Sequence, residues 1–334
     1  MNPKKKITKI IKYKVVVKEK LLITLDQEKV ITVKDLKKEF NGVDILNGIS
    51  FVVALEEIYC ILGPDGSGKT TLLEILVGLR KPSSGEVTIL QNDISKSYEM
   101  REIKKRIGYL PQEFRTYDNL TVKENLQFWG KMYDQMLPVS EIIELFNLTD
   151  YANKRYRQLT FPIKRKVGLA TAFINDPDIV FLDEPTSGLD QFAKKEIWGI
   201  LKEFKARGKT IVLTTNQALE PAIVADQVAI IHKGLLKDIG TPLELIDRYS
   251  AGSRIIIRFI SLTEREKAIK ALQDECPFEI IDDNIVISSE EITLAEVLNK
   301  LEKVNARYSD IITQKPTLND AFITLTGEKL SETI

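Results

Sequence analysis

Gly63-Pro64-Asp65-Gly66-Ser67-Gly68-Lys69-Thr70, followed by Thr71, decides how the rest of the chain is read. A glycine, four free positions and then Gly-Lys-Thr is the spacing of a phosphate-binding loop. Just before it, Glu57-Ile58-Tyr59-Cys60-Ile61-Leu62 is an apolar run suited to a buried strand. Just after it, leucines, isoleucine and valine recur at helical spacing from Thr71 to Leu79. The glycines therefore fall on a strand-to-helix turn. Gly63, Gly66 and Gly68 let the backbone curl so that successive N–H groups face inward. The helix start adds its unpaired N–H groups and the positive end of its dipole. Such a loop binds a nucleoside triphosphate, with Lys69 reaching the β- and γ-phosphates and the Thr70 hydroxyl on Mg²⁺.

The chain around this loop has 334 residues, a length for one large domain with a small one, or for two of middle size. Hydrophobic residues make up 43% of it, enough for a sizeable core. The formal net charge is zero, so no global field draws in nucleic acid. Two cysteines, Cys60 and Cys276, are too few for a disulfide framework or a metal cluster and fit a reducing cytosol. No apolar run approaches the roughly 18 residues of a membrane helix, and the N-terminus lacks the features of a secretory signal. The sequence reads as soluble, with any membrane role passing through a partner. Residues 1–28 are a basic extension in which Lys4 to Lys20 hold one acid, Glu19. Short strands fit at Val15–Val17 and Leu21–Leu25. Two readings stay open there: a solvated arm, or contact with anionic lipid headgroups, where each lysine adds about 1 kcal/mol.

From Val30 the pattern clears. Val30–Asp35 and Ile49–Ala54 read as strands with Asn41-Gly42 as a turn signal between them. A strand at Gly85–Leu90, a charged stretch to Arg106 and a short strand at Ile107–Pro111 follow the loop and its helix. Tyr117 to Ala152 reads as helical, and a further helix runs from about Phe161 to Asn175. Ile179-Val180-Phe181-Leu182 is short and fully apolar, as a central parallel strand is. A helix (Gln191–Arg207), a strand (Thr210–Thr215), a short helix and a strand (Gln227–His232) come next. This alternation predicts an α/β core with a mainly parallel sheet. Around Tyr249 the composition shifts to a β-α-β-β-α-β order with a closing helix at Leu318–Leu325, compatible with a small ferredoxin-like domain.

The central apolar strand ends in Asp183-Glu184. A carboxylate at a strand end beside a phosphate loop suits Mg²⁺ held through water, and this fits Asp183. The next carboxylate, Glu184, can polarise a water in line with the γ-phosphate, since catalysis of this kind is positioning and charge stabilisation.

With these residues in place, Leu182 to Asp190 (LDEPTSGLD) resembles the Walker B segment and D-loop of ATP-binding cassette (ABC) ATPases. The resemblance spans about Ile31 to Tyr249. It implies a P-loop nucleotide hydrolase core with an antiparallel β subdomain and a helical subdomain at about 115–175. The ATP-binding domain would be 29–250, and 251–334 an accessory or regulatory domain. The cofactors implied are ATP and Mg²⁺, with Thr70, Gln112 and Asp183 serving the metal. Phe40 lies where the family stacks an aromatic, usually Tyr, on adenine. Gln112, in IGYLPQE, matches the glutamine that contacts Mg²⁺ and water and senses the membrane subunit. Tyr117–Trp129 resembles the start of the helical subdomain facing that subunit. Pro316 to Gly327 (PTLNDAFITLTG) is similar to the tail of the drug- and antibiotic-exporter branch.

Two motifs depart from the family pattern. Where the signature usually reads Leu-Ser-Gly-Gly-Gln, this chain has Leu159-Thr160-Phe161-Pro162-Ile163. In the family this helix start grips the γ-phosphate held by a second subunit. Thr160 can still cap a helix, but Pro162 has no N–H and Phe161 puts a ring where glycine lets backbone approach. Where the family has its switch histidine stands Asn216, which can donate a neutral hydrogen bond but supplies no charge. His232, the chain's one histidine, reads as structural. Asp65 is a smaller departure, Asn or Ser being usual there.

The resemblance therefore implies the ATPase subunit of an ABC transporter, an exporter by its branch, peripheral at the inner face of the cell membrane. Its partners would be integral-membrane subunits and a second ABC ATPase subunit, in a homodimer or heterodimer. Glu184, Gln112, Lys69 and Asn216 are the candidate catalytic residues. Two alternatives stand beside this reading: a weakly hydrolytic divergent partner in a heterodimer, and a cassette protein outside transport.

Overall fold

The structure is a computed structural model, and it describes residues 28–249, 252–273, 276–289 and 292–330. The strands read at Val15–Val17 and Leu21–Leu25, and the lipid-facing role of the basic extension, lie outside these residues.

β1 (Lys29–Phe40) and β2 (Val43–Ala54) form an antiparallel hairpin across Asn41 and Gly42, both at positive φ. That is the turn geometry whose twist matches paired strands, and it carries both strands further toward the turn than their apolar segments alone suggest. β3 (Ile58–Leu62) enters the glycine loop, α1 (Lys69–Leu76) leaves it, and β4 (Ser84–Ile89) and β5 (Asn92–Asp93) return to the hairpin. The resulting sheet has the order β2-β1-β4-β5.

A second sheet is built from β3 with β6 (Ile107–Leu110), β7 (Ile179–Asp183), β8 (Thr210–Thr215), β9 (Gln227–His232) and β10 (Leu235–Gly240), in the order β10-β9-β3-β8-β7-β6. β3 pairs in parallel with β8 and β9, and β7 with β6 and β8. Its central strands β3, β7 and β8 are buried throughout, as strands covered on both faces must be. Their side chains alternate. Tyr59, Ile61, Ile179, Phe181 and Val212 join one core with α1 and with Ile31, Val33, Ile49 and Val87 of the first sheet. This shared core holds the glycine loop on a rigid strand-helix junction.

The chain between β6 and β7 departs from the single helical stretch read at Tyr117–Ala152. α2 (Ser97–Arg106) lies earlier in the chain; within Tyr117–Ala152, α-helix forms at α3 (Val122–Gly130) and α4 (Val139–Leu145), and Thr149–Tyr151 adds one 3-10 turn. Buried Asn125 is the reason for the late start. Its amide donates to the carbonyls of Tyr117, Leu120 and Thr121 and accepts from the Thr116 hydroxyl at 2.6 Å, tying those residues into a loop. Thr121 then opens α3 with a capping box to Glu124. Pro138 fixes the backbone at the start of α4. α5 (Phe161–Phe173) completes this part, and α6 (Gln191–Ala206), α7 (Leu219–Val224) and α8 (Pro242–Tyr249) follow in turn.

The chain divides into two compact units, one of residues up to Ile239 and one of Gly240–Leu330. In the second, β11 (Ser253–Phe259), α9 (Leu262–Leu272), β12 (Glu279–Ile281), β13 (Asn284–Ser289), α10 (Leu294–Lys303) and β14 (Tyr308–Gln314) follow the order read from the sequence. The sheet runs β12-β13-β11-β14 with every neighbour antiparallel, which is the ferredoxin-like arrangement. Ile255, Ile257, Ile285 and Ile287 pack against Ala268, Leu272, Val297 and Leu301 of the two helices. The closing helix α11 (Leu318–Thr326) packs on α8, which places α8 in this unit although the composition changes only after it.

Candidate functional site

Strand register brings the sequence-distant motifs together. Leu62 pairs with Thr215, and the Gly63 N–H donates to the Thr215 carbonyl at 3.2 Å. On the other side of β8, Asp183 pairs with Thr214. The glycine loop, Asp183-Glu184 and Asn216 thus emerge from the carboxyl ends of three adjacent parallel strands, where α/β sheets bind ligands.

The loop is shaped by crowding as much as by curvature. A Cβ on Gly63 would lie 2.2 Å from the Ile231 carbonyl oxygen. Gly68 has φ +101°, and a Cβ there would meet the Leu46 side chain and the Ile45 carbonyl inside 3.0 Å. Gly68 is also the N-cap of α1, with no side-chain cap, so the helix start keeps its backbone donors for a ligand. A cavity of about 360 Å³ opens here, lined by Ile45, Asp65, Gly66, Gly68, Lys69, Thr70, Thr71, Gln112 and Glu184. Its size suits a phosphate-bearing ligand. Pro64 frames the loop, and Ser67 is buried with a hydroxyl that finds no hydrogen-bond partner.

Lys69 is buried beneath this cavity and donates to the carbonyls of Gly63 at 2.8 Å and Pro64 at 3.0 Å. Its ammonium also lies 3.5 Å from Glu184 Oε1. Glu184 is itself buried, and burial raises its carboxyl above the usual range, opposed by Lys69 and reinforced by Asp65 and Asp183. Its backbone sits at φ +46°, a strained region for a residue with a side chain. Thr214 holds it there, accepting the Glu184 N–H on its hydroxyl oxygen at 3.0 Å. The Thr214 hydroxyl donates in turn to Asp183 Oδ1 at 2.5 Å. Asp183 Oδ2, fully buried, has no partner.

No motif marks Arg165, which reads as one of three bases in Lys164-Arg165-Lys166. It is buried on α5, and burial lowers the affinity of its guanidinium for a proton. It donates to the carbonyls of Gln112, Asp183 and Pro185, each at 2.9 Å, and to that of Glu184. One side chain thus ties the Gln112 loop to the end of β7. Ile45, on the loop side of β2, is a further cavity residue that no motif announced; only its place beside buried Leu46 marks it.

The other singled-out residues fall as follows. Asn216 is buried beside the loop and donates from Nδ2 to Asp65 Oδ1 at 3.1 Å. Phe40 does not line the cavity; Lys38 Nζ and Arg80 Cζ lie 4.6 and 5.1 Å from its ring centroid. His232 is buried at the end of β9. Thr160 occupies the N-cap of α5, yet its hydroxyl accepts no cap hydrogen bond, contrary to the capping role expected of it. The reason is local: Pro162 stands second in the helix and removes one of the two N–H groups a cap serves. The ring of Phe161 is exposed and lies over Gly188 of the LDEPTSGLD segment.

The sequence pattern of the family described as "ABC transporter" matches residues 46–187. The chain is 34% identical over 223 residues to the probable multidrug ABC transporter ATP-binding protein YbhF of Escherichia coli (strain K12), covering 65% of this chain and 38% of that protein. The chain thus spans well under half the length of this relative. It is 34% identical over 219 residues to the Nod factor export ATP-binding protein I of Burkholderia lata, covering 64% of this chain and 71% of that one. Among solved structures, the dimeric ATP-binding cassette MJ0796 bound to ADP and Pi superposes with a TM-score of 0.58 at 25% identity, over 63% of this chain and 98% of that chain.

Proposed function

The chain belongs to the ABC transporter family, and from that premise we propose that it is the ATP-binding subunit of a transporter, turning MgATP binding and hydrolysis into movement of separate membrane subunits. The observation that carries this reading is the buried approach of Lys69 to Glu184, 3.5 Å apart at the base of the glycine-loop cavity. In water such a pair is worth little; out of water it poises a base beside a phosphate-binding cation. Glu184, raised by burial, is the better proton acceptor for an attacking water. Lys69 and the backbone N–H groups of Gly66 to Thr70 hold the phosphates.

The donors fit Mg²⁺. Thr70 and Gln112 face the cavity, Asp183 keeps one buried carboxylate oxygen without a partner, and all are hard oxygen ligands. Bound there, Mg²⁺ would neutralise charge on the β- and γ-phosphates. Phe40 is proposed as the adenine contact, its ring having to exchange the cations beside it for a base.

No helix among the described residues is long and apolar enough to cross a membrane. We propose, on the likeness to relatives named as ATP-binding proteins of transporters, that passage through the membrane falls to partner subunits, with this chain at the cytoplasmic face. The direction is proposed as outward, on the likeness to relatives named for multidrug transport and Nod factor export. A second cassette, this chain or another, is the other partner.

A second reading has its own support. Pro162 and Phe161 at the start of α5, and Asn216 without charge, weaken what each cassette lends the other's γ-phosphate. The chain then works as the divergent half of a heterodimer. Affinity purification from membranes tests both: an integral-membrane partner is expected, and a second, different cassette distinguishes heterodimer from homodimer. Recovery without any membrane protein would contradict the transport reading.

A further inference from the structure

Two departures from the family pattern touch each other. Asp65 and Asn216 are 151 positions apart, yet the Asn216 amide donates to the Asp65 carboxylate at 3.1 Å. The register brings the two segments together, because Leu62 and Thr215 are opposite each other and the chain continues from both on the same side. A carboxylate only accepts, so the amide turns its –NH₂ to Asp65 and its carbonyl oxygen elsewhere. The bond is charge-assisted and stronger than one between neutral groups. The same carboxylate oxygen lies 4.0 Å from Lys69 Nζ. Asp65 also lines the cavity, beside Lys69 and Glu184. The side chains available to a terminal phosphate, Lys69 and Asn216, therefore both face the negative charge of Asp65.

We infer that Asp65 is a specificity-determining residue of the phosphate cavity: its carboxylate engages the donor of Asn216 that a terminal phosphate would take, so a triphosphate has to displace it and a diphosphate does not. The inference rests on the MgATP reading above. It makes ATP bind less favourably relative to ADP than the loop alone would allow. It also bears on the missing histidine. With Asp65 present, an imidazole introduced at this position pairs with the carboxylate and is held away from the phosphate. Removing the charge at 65 has to come first.

The test is calorimetric titration of the full chain with MgATP and with MgADP, for the unmodified protein, Asp65→Asn, Asp65→Ser, Asn216→His and the Asp65→Asn/Asn216→His double variant. Asp65→Asn is expected to tighten MgATP about tenfold and MgADP less than about twofold, the size of one like-charge contact at partial exposure. Asp65→Ser, which removes the charge without the amide, is expected to move the ratio the same way. The double variant should gain more MgATP affinity than the two single changes added together. An ATP-to-ADP ratio unmoved in both Asp65 variants overturns the inference, as does an Asn216→His gain that is as large with Asp65 as without it. Failure of the unmodified chain to bind either nucleotide overturns the MgATP reading itself, and the two failures are thereby told apart.

Discussion

Glu184 carries the tension of the site in its backbone and in its side chain. Its positive φ is a conformation of about 1–3 kcal/mol, tolerated because Thr214 and Arg165 hold the peptide on both sides. Its carboxyl is pushed up by burial and kept close to Lys69. A different carboxyl, Glu57 at the entry to β3, titrates where cells live: burial raises it to about 7, offset in part by the N–H of Ala54 and by Lys205, with Asp226 adding to the rise. Because the folded value lies above the unfolded one, Glu57 favours the fold fully below the ordinary carboxyl range. That contribution is lost as pH rises through about 7. Urea midpoints are therefore expected to fall between about pH 4.5 and 7 and to level off above that, and Glu57→Gln, which can still accept from Ala54, should flatten that slope. An unchanged slope in the variant would show that other groups set it.

At the scale of elements, the strands around the site were legible because their chemistry is one-dimensional. β7 and β8 are short apolar runs with nowhere to go but a buried parallel sheet, and the glycine loop announces the turn that follows β3. The helical part was less legible, because the side chain that breaks it, Asn125, acts through carbonyls up to eight positions away. Arg165 was hidden for a related reason. Its partners are main-chain oxygens of two other segments, and backbone acceptors leave no trace in sequence. Arg165→Met leaves the carbonyls of Gln112, Asp183, Glu184 and Pro185 without their donor in a buried place. The expected loss is about 3 kcal/mol or more of stability, read by denaturant unfolding. A loss below about 1 kcal/mol would mean that water or a neighbour replaces the guanidinium.

At the scale of the whole molecule, the two units have separate tasks on this account. The residues that line the cavity and tie it together all lie before Gly240. A chain cut before Gly240, so that α8 leaves together with the α11 it packs on, is expected to keep MgATP affinity within about twofold. A large loss would place the second unit in nucleotide binding. We propose that residues 251–334 instead regulate closure or assembly, which the same truncation reads as a change in dimerisation or in recovery of membrane subunits.

The central proposal is that this chain holds MgATP but turns it over slowly unless a better-equipped cassette faces it. Losing one preorganised donor in such a site costs on the order of 10²–10³ in rate. The direct measurement is steady-state ATP turnover by the purified full chain at saturating MgATP, with Glu184→Gln as the background. The account predicts less than about 0.1 per second alone, against the roughly 1–10³ per second of ordinary enzymes. Turnover above about 1 per second from the chain alone, abolished by Glu184→Gln, would contradict it.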